Sequence, residues 1–371
     1  MSHEPRASWK QHAAPALCLA LCLALPAAAA PLDALLTALP EQGSSRVLLE
    51  LGGDKLARTL DFSTAREGDP AQPASRSGDY SSLHLTGAVR VADGLWLTGG
   101  LWQRQIDGDQ DRYRYRGWLA SGLWRFTEAA GPRPALAMRL SAWGNRASET
   151  LTTTPVHVPG AVLDTVTISK PSDRQLQADL LATWKTTPKL NVTAMLGLGR
   201  TRLAYGALAA TTTRNGCHYD LTFTGNDIFG ELNAPCTSSS GVIRQFFDSS
   251  GDYGVDVAKE IAWQGRFVQV GVNAAWRDGP WSAAAGLLLH SARRDEVDRI
   301  LRARGDPAYQ HNRTVLLDGG YAYTPQITLF ARLQLSSHLF LDEIPVTYNS
   351  STSRNFGSGF STLTLGLRGA F

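Results

Sequence analysis

Apolar and polar residues alternate along most of the chain after residue 45. The clearest example lies between Asp173 and Lys185. One face of this segment carries Leu176, Ala178, Leu180, Ala182 and Trp184, and the other carries Gln175, Gln177, Asp179, Thr183 and Lys185. Successive side chains of a β-strand point to opposite faces, so the pattern predicts a strand with one apolar and one polar face.

The same alternation recurs in about twelve segments, which predicts an all-β fold. The predicted strands are 46–62, 81–91, 95–106, 112–126, 134–148, 173–186, 190–205, 261–276, 281–293, 313–323, 327–341 and 358–371. Residues 253–264 could extend the eighth strand or contain another hairpin. Counts of ten or fourteen strands are therefore alternatives to twelve.

Short and long connections alternate between these strands. The short turns lie at 92–94, 131–134, 187–189, 277–280 and 324–326, and the long polar connections at 63–80, 107–111, 149–172, 206–252, 294–312 and 342–357. This alternation is typical of a transmembrane antiparallel up-and-down β-barrel, with short periplasmic turns and long external loops. We therefore assign residues 46–371 to such a barrel, with 206–252 as its largest external loop.

Aromatic residues lie beside the predicted short turns. They are Trp124, Phe126, Trp184, Trp276, Trp281, Tyr321 and Tyr323. Indole and phenol rings favour the headgroup level of a membrane, because each combines an apolar ring with a hydrogen-bonding group. The sequence predicts an aromatic girdle at this end of the barrel; ordinary core aromatics near turns are the alternative.

The N-terminus has the layout of a secretory signal peptide, which we assign to residues 1–29. Arg6 and Lys10 precede the apolar run 13–25, and small residues follow at 27–30. Residues 30–45 form a predicted periplasmic segment whose leucines have helical spacing, so a short helix and a disordered leader are both possible.

Two cysteines remain after the predicted signal peptide, Cys217 and Cys236. An even pair in an oxidising compartment predicts one disulfide, with two free thiols as the alternative. The bond would close part of loop 206–252.

The last strand carries a recognisable pattern. Leu363, Leu365, Leu367 and Phe371 share one face. This arrangement resembles the assembly signal of bacterial outer-membrane β-barrel proteins, although Gly369 stands where a larger apolar residue is usual. The resemblance implies the outer membrane of a Gram-negative bacterium as the location. It also implies membrane lipid, the barrel-assembly machinery and periplasmic chaperones as partners. No specific functional family is matched.

Strand parity assigns a polar set of residues to the face opposite the lipid. These are Arg90, Arg104, Arg139, Asp179, Lys185, Gln269, Asn273, Asp318, Arg332, Gln334 and Arg368. An arginine or lysine facing lipid costs about 2–4 kcal/mol at the midplane, so we predict that charged side chains point inward. A wet lumen would use them to conduct solutes, whereas a dry lumen would pair them in a salt-bridge network.

Three histidines, His84, His290 and His338, fall near the predicted external ends of strands. With Ser291 or Ser336 and a loop carboxylate they could form a hydrolytic site at the rim. The alternative, which we favour, is that they line the mouth of the barrel.

The leading functional hypothesis is a narrow passive channel for small solutes. A rim-site hydrolase and a non-conducting structural or surface-interaction barrel are the alternatives, and an enzyme is the less favoured outcome. The net charge of +3 and the lack of a basic block argue against nucleic acid as a partner. We expect no cofactor and no metal, since the acids of loop 206–252 match no calcium-binding pattern.

Overall fold

The computed structural model describes residues 46–56, 79–107, 111–158, 161–233, 236, 242–253, 255–294, 296–339, 341–350 and 352–371. The predicted signal peptide and the segment 30–45 lie outside these residues. The described strands, in chain order, are β1 (Val47–Leu56), β2 (Asp79–Ala92), β3 (Leu95–Asp107), β4 (Arg112–Arg125), β5 (Ala135–Arg146), β6 (Glu149–Thr152), β7 (Val156–Val158), β8 (Ala161–Leu163), β9 (Thr165–Ser169), β10 (Ser172–Thr187), β11 (Leu190–Ala204), β12 (Ala207–Arg214), β13 (Cys217–Thr224), β14 (Asp227–Leu232), β15 (Gln245–Ser249), β16 (Gln264–Asp278), β17 (Trp281–Arg293), β18 (His311–Ala322), β19 (Ile327–Ser336) and β20 (Phe360–Ala370).

Twelve of these strands form a closed antiparallel barrel, which confirms the predicted architecture and strand number. Their order is β1, β2, β3, β4, β5, β10, β11, β16, β17, β18, β19 and β20, and β20 pairs with β1 to close the wall. Closure leaves no free edge in the barrel sheet, so every wall strand has two neighbours. No helix of the described residues is long and apolar enough to cross a membrane.

Two predicted boundaries are wrong, both near external loops. The strand predicted over 327–341 ends at Ser336, because the chain then turns into the lumen and Ser337 Oγ donates to Asn312 Oδ1. The described residues 255–263 form neither a strand extension nor a hairpin. They contain the short helix α1 (Val257–Ile261) and lead into β16.

The outward faces of the barrel strands are apolar. Leu83, Leu140, Leu198 and Leu365 are between 56% and 60% exposed. So continuous an exposed apolar surface is the property of a wall covered by lipid tails. The predicted girdle residues Trp124, Trp281, Tyr321 and Tyr323 are also exposed, beside the short turns, where lipid headgroups would lie.

A second sheet stands beyond the long-loop end of the barrel. Its six strands have the order β15, β14, β13, β12, β9 and β6, and we call it the external sheet. The Cys217–Cys236 disulfide, which confirms the prediction, lies beside its small core. The β12–β13 hairpin turns at Asn215 and Gly216, whose φ angles of 51° and 73° suit a type I′ turn. The prediction of one long polar loop over 206–252 is wrong here, because β12 and β13 pair on either side of this turn.

The last long connection, residues 337–359, folds into the external half of the lumen, and we call it the inward loop. Its Leu339 and Ile344 pack in one apolar cluster against the wall. Its Leu341, Tyr348 and Phe356 pack in another, against helix α2 (Val297–Ala303) and β11. Because both clusters are buried, the loop is an integral part of the barrel interior.

Candidate functional site

The structure places all eleven predicted inward residues on the inner faces of their strands. Arg104, Arg139, Asp179, Gln269, Asn273, Arg332 and Gln334 are buried, Arg90, Asp318 and Arg368 are partly buried, and Lys185 is exposed at the periplasmic end of β10. The lumen is therefore the candidate site, and its chemistry depends on how these groups are paired.

Two arginines and two carboxylates form an ionic cluster on β1, β18, β19 and β20. Arg332 donates to both oxygens of Glu50 at 3.1 Å and to Asp318 at 3.2 Å. Arg368 donates to Glu50 at 2.7 Å and to Asp318 at 2.8 Å and 2.5 Å. Each arginine thus has two carboxylate partners, so the two positive charges and two negative charges balance locally.

A second buried pair joins β5 to β10. Arg139 Nε donates to Asp179 Oδ2 at 2.8 Å. Gln177 then links Asp179 to Gln269, and Gln269 Nε2 donates to His290 Nδ1 at 2.9 Å. Because each member is buried and hydrogen-bonded, this chain of side chains matches the paired network expected of a dry lumen.

An apolar layer crosses the interior beside these polar groups. It consists of Trp96, Leu123, Ala137, Leu181, Met195, Leu288 and Leu316, with Leu48 and Ala88 packed against it. Leu181, Leu288 and Leu316 are at most 1% exposed, so water does not reach them. The layer draws on residues of opposite walls and closes the lumen at this level.

The inward loop is tied to the wall by its own carbonyl and carboxylate groups. The carbonyl oxygen of Glu343 accepts from Asn145 Nδ2 at 2.8 Å and from Arg104 Nη1 at 3.3 Å. The Asp342 carboxylate accepts from Asn312 Nδ2 at 2.8 Å. Burial raises the pKa of Tyr348, which lies in this loop, to about 12. The loop thus forms a dry plug above the ionic cluster.

Two small cavities flank this plug. One, of about 30 Å³, lies among Asp54, His84, Arg104, Arg332 and Glu343. The other, of about 10 Å³, lies between Trp263, His290 and Asp342. A cavity needs roughly 10–15 Å³ for one water molecule, so the larger space can hold two or three waters and the smaller space one at most.

The three histidines have separate settings. His84 Nε2 lies 3.2 Å from Glu50, and its Nδ1 lies 3.4 Å from Asp54, so carboxylates take both ring nitrogens. A Cβ on Gly52 would come within 2.5 Å of this ring, so glycine makes room for it. His290 contacts Gln269 and lies 3.3 Å from Asp342.

His338 belongs to the inward loop. Its Nδ1 donates to the Phe356 carbonyl at 3.1 Å, and partial burial lowers its pKa. Ser336 is hydrogen-bonded to Thr314. The contacts of Ser336, His290 and His338 therefore give no support to a hydrolytic site at the rim.

One group of charged residues lies where sequence analysis did not place it. Ten exposed arginines occupy outward positions at the external ends of the wall strands: Arg112, Arg114, Arg116, Arg146, Arg174, Arg200, Arg202, Arg266, Arg293 and Arg313. The expectation that charged side chains face inward is wrong for them, because the cost that supports it applies at the midplane and falls to about 0–1 kcal/mol near the interface. Strand parity would have identified them.

No family model matches the chain, and no curated protein matches it. The solved structures that match include "CymD monoaromatic hydrocarbon channel" (12% identity, 89% of this chain and 90% of that chain, TM-score 0.39). They also include the translocator domain of autotransporter NalP from Neisseria meningitidis (9% identity, 92% and 93%, TM-score 0.48) and the KdgM porin (8% identity, 88% and 99%, TM-score 0.37).

The class of protein follows from the molecule itself. It combines a closed antiparallel wall of twelve strands, an apolar exterior, an aromatic rim and a polar interior. These are the features of an outer-membrane β-barrel protein.

Proposed function

We propose that the protein is a closed barrel that anchors the external sheet at the cell surface, and that it does not conduct in its resting state. The observation that carries the proposal is the filled lumen. The inward loop, the ionic cluster and the apolar layer together occupy the interior, and Leu288 and Leu316 of the layer are each 1% exposed. The layer belongs to the wall strands, so moving the loop would not remove it.

The external sheet supplies a surface suited to contact with another molecule. Its last strand, β15, pairs on one side with β14. Phe247 of β15 is 83% exposed and Ile243, just before the strand, is 61% exposed. An edge strand with exposed apolar side chains is a surface that an extended peptide can join by backbone hydrogen bonds.

The test is single-channel conductance of refolded protein in a planar bilayer. Two proteins are compared: the wild type and a variant in which residues 339–356 are replaced by a short Gly-Ser linker. We expect no conductance steps from either, because the apolar layer stays in place. Regular steps from the wild type would overturn the proposal.

A narrow channel for small solutes is the second candidate. The cavity between the ionic cluster and the inward loop favours it, because charged side chains, including Asp54, Arg104 and Arg332, make up much of its lining beside Trp102. In this case displacement of the loop would extend the cavity towards the outside. Conductance that begins only in the loop-replacement variant would favour this channel over the closed barrel.

We further propose export to the outer membrane of a Gram-negative bacterium, with recognition of the last strand by the barrel-assembly machinery. Leu363, Leu365, Leu367 and Phe371 support this, since all four face outward and are exposed. Deleting Phe371 should lower the amount of protein in the outer membrane while leaving refolding in detergent unchanged. Equal outer-membrane levels would contradict recognition of this residue.

A further inference from the structure

Nine of the exposed arginines at the external end of the wall form a continuous group, which we call the arginine belt. It comprises Arg114, Arg116, Arg146, Arg174, Arg200, Arg202, Arg266, Arg293 and Arg313. These residues come from β4, β5, β10, β11, β16, β17 and β18, which are consecutive neighbours in the wall. The belt therefore covers one side of the barrel at a single end.

Several of these arginines face one another directly across neighbouring strands. Arg200 is the register partner of Arg266, and Arg266 is the partner of Arg293. The pairs Arg116 with Arg146 and Arg174 with Arg202 repeat the arrangement. Directly opposed residues have Cβ atoms about 4.5–5.5 Å apart, and like charges at that distance destabilise a sheet.

The described part of the chain places few carboxylates beside the belt. None of the salt bridges between described residues involves a member of the belt, although Arg114 donates to the amide oxygen of Gln105 and interacts electrostatically with Asp107. Arg112 also faces outward at this end, but it is excluded from the belt because it pairs with Asp107. Apart from Arg114, the belt thus presents guanidinium groups that have no carboxylate partner among the described residues.

The belt borders the lipid-facing surface. Two residues further into the membrane on the same faces lie Leu176, Leu198, Val268 and Val315, all exposed. Two strand residues span about 7 Å, so the guanidinium groups lie at the headgroup level while their methylene stems cover the upper edge of the apolar band. A ligand whose charge lies at the membrane interface therefore fits the position of the belt.

We propose that the arginine belt binds the phosphate groups of phosphorylated glycolipids in the outer leaflet. Guanidinium groups bind phosphate in a bidentate manner, with two parallel N–H···O bonds. A row of such groups directly above an apolar wall matches a lipid whose phosphates lie directly above its acyl chains. Bound phosphates also supply the negative charge that the opposed arginines lack. This role goes beyond the proposed function, since it concerns the outside of the wall.

The test uses the row at the centre of the belt. The variant Arg200→Gln/Arg266→Gln/Arg293→Gln removes three charges from neighbouring strands. A matched control, Arg133→Gln/Arg214→Gln/Arg244→Gln, removes three charges from exposed arginines outside the belt. Heat-modifiable migration in detergent gels verifies that each barrel is folded. If the glutamine triple fails to fold, the corresponding Arg→Lys triple keeps the charge and removes bidentate binding.

Binding is measured by native mass spectrometry in a neutral detergent, with bisphosphorylated lipid A and with the same lipid after enzymatic dephosphorylation. The wild type and the control should prefer the phosphorylated lipid by about tenfold or more, and the glutamine triple should lose this preference. The lysine triple should show a reduced preference.

Three outcomes would overturn the proposal. The first is equal binding of both lipids by the wild type. The second is a full preference in both belt variants. The third is displacement of the lipid by inorganic phosphate, which would indicate a site for the free ion and not for a lipid.

Discussion

Arginines on the two faces of the barrel wall differ in the charges around them. Inside, Arg139, Arg332 and Arg368 each hold carboxylate oxygens at hydrogen-bond distance. Outside, Arg200, Arg266 and Arg293 face one another and have no carboxylate partner among the described residues. The difference follows from solvation. A charge in a dry interior requires a fixed counter-charge, whereas a charge at the membrane interface can take its counter-charge from water or lipid.

The largest expected change in the free energy of unfolding follows the loss of an arginine inside the barrel. Arg139→Leu leaves Asp179 buried without its cation, and we expect a loss of about 3–5 kcal/mol in the free energy of unfolding. Denaturant titration of the refolded barrel in detergent measures it. The double variant Arg139→Leu/Asp179→Leu removes both charges and should recover most of the loss. If Arg139→Leu alone were as stable as the wild type, the inner arginines would not depend on fixed counter-charges, because water would then reach Asp179.

An intermediate effect is expected where the outer wall faces the middle of the membrane. Leu196→Arg places a charge among lipid tails and should cost about 2–4 kcal/mol, measured by the same titration in lipid vesicles. Gln264→Arg is the matched control, because Gln264 lies at the external end beside Arg202. It should cost about 0–1 kcal/mol. Equal costs at the two positions would contradict the assigned depth of the belt.

The smallest effect is expected at the belt itself. Arg266→Leu should raise the unfolding free energy by up to about 1 kcal/mol in neutral detergent, because it relieves the repulsion from Arg200 and Arg293. A loss comparable to that of Arg139→Leu would show that the outer arginines stabilise the protein as the inner ones do.

The barrel could be predicted from the sequence because its determinants are local. A period of two assigns each residue to a face, and the regular alternation of loop lengths orders the strands. The paired lumen could not be predicted in the same way. Glu50 and Arg332 meet although 282 residues separate them, and no pattern within either strand indicates the partner.

The inward loop escaped prediction for a related reason. Leu339, Ile344 and Tyr348 lie in an irregular segment with no repeating period, so nothing local distinguishes a loop that folds inward from one that extends outward. The external sheet did carry a local signal, because the Asn215-Gly216 turn lies between segments of alternating residues. The polar connection that contains this turn is long, and its length obscured the signal. The prediction missed the arginine belt because the free-energy cost of a lipid-facing arginine is high at the membrane midplane and low at the ends of the strands.

The seam between β1 and β20 bears on the order in which the wall forms. Most neighbouring wall strands are joined by turns or single loops, whereas Glu50 and Arg368 across the seam are 318 residues apart. The entropy cost of loop closure is larger for this pairing than for any other in the wall, because the closed segment is the longest. This pairing is therefore expected to form last. Until then Glu50 and Arg368 stay hydrated on separate edges. The final step therefore removes water from both side chains together, so the ion pairs of the ionic cluster form only when the barrel closes.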